Sequence, residues 1–179
     1  RGEILDRHLD ELAISVEIDS IFTHPREVRE PVLAAKSLAD ILKLNEQELY
    51  KKLIADRPFA YLARKIPPRQ AEQIRALNLS GVYLQREPKR LYPGRELAAN
   101  VLGFVGVDNE GLSGLEYLYN DSIKGRKTKV NLLFDAKRHS YSSDAGLESS
   151  DGNTVVLNLD RPIQYIVEQV LKDVVSSTE

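Results

Sequence analysis

The chain has 179 residues, 42% of them apolar and 29% charged. This is the balance of a folded globular chain, not a disordered, collagen-like or membrane-embedded one. It has no cysteine, which excludes disulfides, Cys-ligated zinc, iron–sulfur clusters and thiol nucleophiles. Charge is uneven: 8 Lys/Arg against 12 Asp/Glu over residues 1–56, 9 against 2 over 57–95, and 8 against 13 over 96–179.

Taken in chain order, Ile4–Arg7 reads as a short strand and His8–Asp10 as a turn. Glu11–Phe22 alternates, with Leu12, Ile14, Val16 and Ile18 on one side and Ser15, Glu17 and Asp19 on the other, predicting a half-buried strand. Pro31 opens a helix to about Lys43 with Ala34, Ala35, Leu38, Ile41 and Leu42 on one stripe. Asn45 followed by Glu48 fits a capping box for a second helix, so a small helical lobe is expected near residues 31–56. Phe59–Ile66 reads as a strand. Pro67-Pro68 ends it and starts a helix with Ala71, Ile74 and Leu77 inward. Val82–Glu87 is a strand continuing toward Tyr92. Glu96–Leu102 is short and helical, Gly103–Gly114 a glycine-rich loop, and Leu115–Ile123 a further helical turn or two. Lys127–Phe134 reads as a strand, Ser140–Asn153 as a mobile loop and Thr154–Leu159 as a strand. Asp160 caps a last helix bearing Ile163, Ile166, Val167, Val170, Leu171 and Val174 on one face. Strands and helices mix without regular βαβ alternation, which predicts α+β. No apolar run approaches the roughly 18–20 residues that span a membrane.

Catalytic signatures are not found. Ser-x-x-Lys, Ser-x-Asn and Lys-Thr-Gly are missing, although Lys127-Thr128-Lys129 approaches the last. The glycines at 103, 106, 111 and 114 lack phosphate-loop spacing. His8, His24 and His139 lie far apart and offer no paired metal ligands. Neither a metal nor a cofactor is therefore expected. Asp108 and Glu110 form an acid pair in the glycine loop, where solvation is the plainer role.

Three clusters are more specific. Arg1-Gly2-Glu3-Ile4-Leu5-Asp6-Arg7 opens the chain. Arg90-Leu91-Tyr92-Pro93 leads toward Gly103. Gly111-Leu112-Ser113-Gly114-Leu115-Glu116 follows. Each sets Arg, Asp or Glu beside Gly or Pro; glycine permits close backbone approach, and Arg with carboxylate fixes orientation through paired bonds. Such clusters suit a rigid junction, or more plainly three ordinary turns. In this order they resemble the N-terminal module of class B penicillin-binding proteins, which carries R-G-x-I-x-D-R, R-x-Y-P and G-x-x-G-x-E. Asp160, Ile163, Gln164, Glu168 and Leu171 resemble the stretch leading into that family's catalytic domain. Tyr61–Pro68, with Ala71 and Ile74, is more similar to the septal than to the elongation branch. Two departures stand out: Leu9 and Arg95 occupy positions where the family usually or frequently has Gly.

The resemblance implies an elongated α+β module of long antiparallel strands, lacking the transpeptidase domain. Residues 1–159 would be the pedestal or dimerisation domain, and 160–179 the start of the helix into the transpeptidase domain. The module would be non-catalytic, holding a cell-division peptidoglycan transpeptidase above the membrane. It implies contact with division-machinery membrane proteins, a polytopic glycosyltransferase among them, with the protein's own transpeptidase domain, and with a second copy in a homodimer. The site would lie on the extracytoplasmic side of the bacterial inner membrane, reached through an anchor before Arg1. A start at Arg1-Gly2 with no methionine in the chain fits a piece of something longer. The junction residues would be Arg1, Gly2, Asp6, Arg7, Arg90, Tyr92, Pro93, Gly103, Gly111, Gly114, Glu116 and Asp160, with Arg64, Arg69 and Arg75 as a partner surface. Two other classes remain at this point: a stand-alone hydrolase working through two carboxylates, and a nucleic-acid binder using the basic 57–95 segment, which lacks any recognition-helix or RNA-binding signature.

Overall fold

The computed structural model describes residues 1–125 and 152–178, together with the backbone of Leu133–Phe134 and Ser140–Tyr141. In chain order the elements are β1 (Ile4–Leu5), β2 (Glu11–Thr23), a 3-10 turn (Pro25–Glu27), α1 (Pro31–Leu42), α2 (Glu46–Leu53), β3 (Ala60–Ala63), α3 (Pro68–Leu77), β4 (Val82–Leu91), α4 (Ala99–Leu102), α5 (Gly114–Leu118), α6 (Asn120–Ile123), β5 (Leu133–Phe134), β6 (Ser140–Tyr141), β7 (Val155–Val156) and α7 (Arg161–Thr178). The class is α+β, as the sequence predicts. The sheet is mixed, however, because β7 runs parallel to β1 while β2 is antiparallel to both β1 and β3. The expected strand over Lys127–Phe134 lies outside the described residues except for β5, which pairs antiparallel with β6. The loop expected over Ser140–Asn153 therefore begins in a strand pair, and its residues 142–151 lie outside the described set, as does His139.

The chain forms two compact units: Val16–Lys89, and Arg1–Ser15 with Arg90–Glu179. In the unit 16–89, Pro31 supplies a fixed φ and no N–H at the start of α1. Ala34, Ala35, Leu38 and Leu42 then recur at helical spacing and are buried. Fully burying a side chain such as Leu38 contributes about 2 kcal/mol. One half of the capping box is observed: Asn45 Oδ1 accepts from the Glu48 N–H at 3.1 Å. Acidic Glu46 and Glu48 at the start of α2, with Lys51 and Lys52 at its end, complement the helix dipole. Ala71 and Ile74 of α3 join the same core, with Ile21 and Leu62 from the strands. Leu77, expected inward, is exposed, because α3 stops there and Asn78 turns left-handed at φ 45°. Strand residues of the opposite parity carry rings instead: Phe22 stacks on Phe59 at 5.0 Å and on Tyr83 at 5.6 Å.

In the other unit Ile4, Leu12, Ala13, Ala98, Leu102 and Ile123 form the buried apolar cluster. The clean alternation expected along β2 is not observed. Leu12 and Ala13 are both buried, Ile14, Val16 and Ile18 are half-buried, and Ser20, Ile21 and Thr23 are buried. The two ends of β2 feed different cores, and its pairings carry register shifts at Ile4/Leu5 and Ile21/Phe22, so one period of two cannot run its whole length. The apolar stripe of α7 is present but uncovered among the described residues, with none of the helix buried. At the two family departures, Leu9 has φ 68° and Arg95 has φ 55°. Both keep the left-handed geometry that Gly adopts freely, at a steric cost to their Cβ atoms.

Candidate functional site

The carboxylate of Glu116, on α5, is fully buried and takes two guanidinium groups from distant parts of the chain. Arg1 Nε donates to Glu116 Oε2 at 2.8 Å, and Arg90 Nε donates to Oε1 at 2.7 Å. Both arginine side chains are almost completely excluded from solvent. Two cations on one anion leave an excess positive charge, which neutral acceptors spread. Arg1 also donates to the carbonyls of Asn109 and Glu116, at 3.1 and 2.8 Å, and to Asn120 Oδ1 at 2.9 Å. Arg90 Nη1 donates to the Gly2 carbonyl at 2.7 Å and to Ser15 Oγ at 3.2 Å. Such extra bonds offset the cost of burying the charges, and Arg90 Nη2 is left buried without a hydrogen-bond partner among the described residues.

The glycine loop makes this packing possible. A Cβ on Gly111 would sit 1.9 Å from the Glu116 carbonyl oxygen, and one on Gly103, at φ +72°, would sit 1.9 Å from that of Ser113. Gly114 opens α5, and its backbone lies against Gly103. The Gly111 N–H donates to Asn120 Oδ1 at 3.0 Å. Tyr92 reaches Glu116 Oε1 at 3.4 Å. Burial, then the Glu116 charge, push its phenol up to about 12.

A second brace fixes the start of α7. Asp6 is fully buried and accepts from the N–H groups of His8 at 2.7 Å, Asp10 at 2.9 Å and Arg161 at 3.1 Å. Burial raises its carboxyl, but these three donors outweigh that and hold it below its ordinary value. Asp160 accepts from the Ile163 N–H at 3.2 Å and faces His8 Nε2 at 3.1 Å. The Ile163 bond and then His8 lower its pKa. Further along α7, Glu168 accepts from the Ala98 N–H at 2.8 Å and from Gln164 Nε2 at 2.7 Å. Neither brace offers a nucleophile beside a base. Among the described residues no group of three His, Asp or Glu could hold a metal, and none of their helices is long and apolar enough to cross a membrane. Glu110 of the candidate acid pair is bonded to Lys124 Nζ at 2.7 Å and to Asn120.

The family model of the penicillin-binding protein dimerisation domain matches residues 1–157. The chain belongs to that family. It is 37% identical to stage V sporulation protein D of Bacillus subtilis, over 96% of this chain and 27% of that protein. It is 31% identical to the peptidoglycan D,D-transpeptidase FtsI of Buchnera aphidicola, over all of this chain and 33% of that one. The chain thus spans about a third of the length of the curated relatives it matches. In fold it is similar to penicillin-binding protein PBP2 of Helicobacter pylori, solved in complex with MreC, at TM-score 0.73 and 20% identity over 97% of this chain and 37% of that one.

Within this dimerisation domain, the residues singled out by sequence fall into two braces and some outliers. Arg1, Gly2, Arg90, Tyr92, Gly111 and Glu116 meet in one; Asp6 and Asp160 meet at α7. The Arg7 side chain is exposed and acts on the second brace by charge alone, helping to lower the Asp160 pKa, while its N–H bonds to the Leu159 carbonyl at 2.9 Å. Pro93 is exposed at the turn closed by the Arg95 N–H and the Tyr92 carbonyl at 2.9 Å. Of the basic candidates, Arg64 grips Glu87 at 3.1 and 2.7 Å and lies 4.8 Å over the Tyr61 ring. Arg75 is mostly exposed and reaches Asp19 at 3.3 Å, and Arg69 is exposed. Sequence reasoning missed the role of Asn120, which serves Arg1 and Gly111 at once, and the bond of Ser20 to Glu87.

Proposed function

We propose that this chain is the non-catalytic pedestal of a peptidoglycan D,D-transpeptidase of the division type, held on the extracytoplasmic face of the bacterial inner membrane. The observation that carries this reading is the Arg1–Glu116–Arg90 junction. It ties the chain start, the end of β4 and α5 into one buried knot, while Asp6 fixes the first residue of α7. A rigid arm needs such links between the segment leading from an anchor and the helix leading to a catalytic domain. In this reading residues 1–159 are the arm and 160–179 begin the connection. The named transpeptidase relatives support the parent activity. The exposed Arg69 and Arg75 on α3 are available to partner proteins, among them a polytopic glycosyltransferase or a second copy of the chain. A relative of the same fold is known in complex with MreC.

The chain alone should not be labelled by fluorescent penicillin. Anchored to the membrane, it should co-purify with the glycosyltransferase of the division machinery. Acylation of the chain, or failure to co-purify while the full-length parent does, would overturn the reading.

A further inference from the structure

A groove of about 500 Å³ lies between the turn after β4 and the first turn of α7. Its apolar surface comes from Pro93, Leu97, Pro162 and Tyr165, and the guanidinium side chains of Arg95 and Arg161 line it. Its volume falls in the range of small-ligand and peptide sites. Asp10 also lines it but forms no ion pair with either arginine, and neither has another carboxylate partner among the described residues. Arg1 and Arg90, in the same unit, both end on Glu116.

The groove is held in shape from both sides. The Arg161 N–H is bonded to buried Asp6. The Arg95 turn is closed onto the Tyr92 carbonyl. Glu168 of α7 accepts from the Ala98 N–H and so fastens that loop to the helix. A preformed cleft loses little ordering entropy on binding.

The geometry points to a docking site for an acidic peptide segment of a partner protein, in which an Asp or Glu is flanked by a large apolar residue. The carboxylate would be gripped by the two guanidinium groups, which match it in charge and in planar donor geometry. The neighbouring side chain would rest on Leu97 and Tyr165. A bare phosphate would use the arginines and leave the apolar surface uncovered, which favours the peptide.

The test is a titration of the 15N-labelled chain with the amidated peptide acetyl-Leu-Glu-Phe-Asp-Leu, its Gln/Asn counterpart and inorganic phosphate. The acidic peptide should shift the amides of residues 94–98 and 163–165. Arg95→Gln with Arg161→Gln should weaken it about tenfold or more, and Tyr165→Ser should weaken it without changing the charge. Circular dichroism melts check that each variant is folded. Equal binding of the uncharged peptide, equal binding of phosphate, unchanged affinity in the double variant, or shifts confined to other residues would each overturn the assignment.

Discussion

The two units are stabilised by different physics. The unit 16–89 is continuous in sequence and rests on a cluster of eleven buried apolar residues, ten from three helices and two strands and Ile66 from the link between β3 and α3. The other unit is built from both ends of the chain, and its buried apolar cluster holds six residues among those described. It relies instead on buried charge, with Glu116, Arg90 and Asp6 almost or wholly excluded from water. Apolar burial is non-directional and forgiving of register. A carboxylate gripped by two guanidinium groups accepts one arrangement of segments 115 and 26 residues apart and penalises others, because a misplaced partner leaves a charge buried without compensation. The discontinuous unit therefore trades apolar area for orientation.

The largest expected effect is Glu116→Ala, which strands two buried guanidinium groups and should cost about 3–5 kcal/mol. Native-state hydrogen exchange should show protection lost at Gly2 and Gly111 while α1–α3 keep theirs; equal loss everywhere would erase the distinction between the units. Leu38→Ala is the mirror experiment. It should cost about 2–5 kcal/mol and open the helical core first. A double-mutant cycle on Arg90 and Glu116 should give a coupling of about 0.5–3 kcal/mol; additivity within roughly 0.3–0.5 kcal/mol would mean that the pair is not an energetic unit.

Acid should reach both units. Asp6, Asp160 and Glu87 all have folded pKa values below their ordinary ones of 3.8, 3.8 and 4.5. Their contribution is present above those ordinary values and is lost as pH falls through the lowered folded ones. Thermal melts from neutral pH downward should show Asp6→Asn flattening the acid loss in the discontinuous unit only. In alkali the sign reverses for Tyr92. Its stabilisation is intact below the ordinary value of 10.0 and disappears as pH approaches about 12, so Tyr92→Phe should blunt that decline. The smallest effects are Leu9→Gly and Arg95→Gly. Relief of left-handed strain, less glycine's extra chain entropy, should raise stability by about 0.5–1 kcal/mol each. Unchanged or lower melting temperatures would show the strain to be absorbed elsewhere.

Much of the continuous unit was legible because its signals are local. Pro31 at a helix start, Asn45 three residues before Glu48, and alanines and leucines at helical spacing each act within a turn or two. Where a local signal met an element end it misled, as at Leu77. The junction was legible only as a set of unusual clusters. Motif spacing pointed to Arg1, Arg90 and Glu116, but nothing in their neighbourhoods shows that they share one carboxylate, or that the side chain of Arg7 faces solvent. Ser20 and Glu87, 67 positions apart, left no trace in either segment.

By itself the sequence determined the α+β class, the helical lobe, the membership in a penicillin-binding protein family and the short list of residues at its junction. Those follow from periodicity, caps and motif order, which are properties of neighbouring residues. Tertiary structure alone decided which charges meet, that β1 is flanked by one parallel and one antiparallel strand, and that Arg95 and Arg161 face one groove. Those depend on the distance between residues far apart in the chain, and a buried charge is stable only where folding delivers its partner.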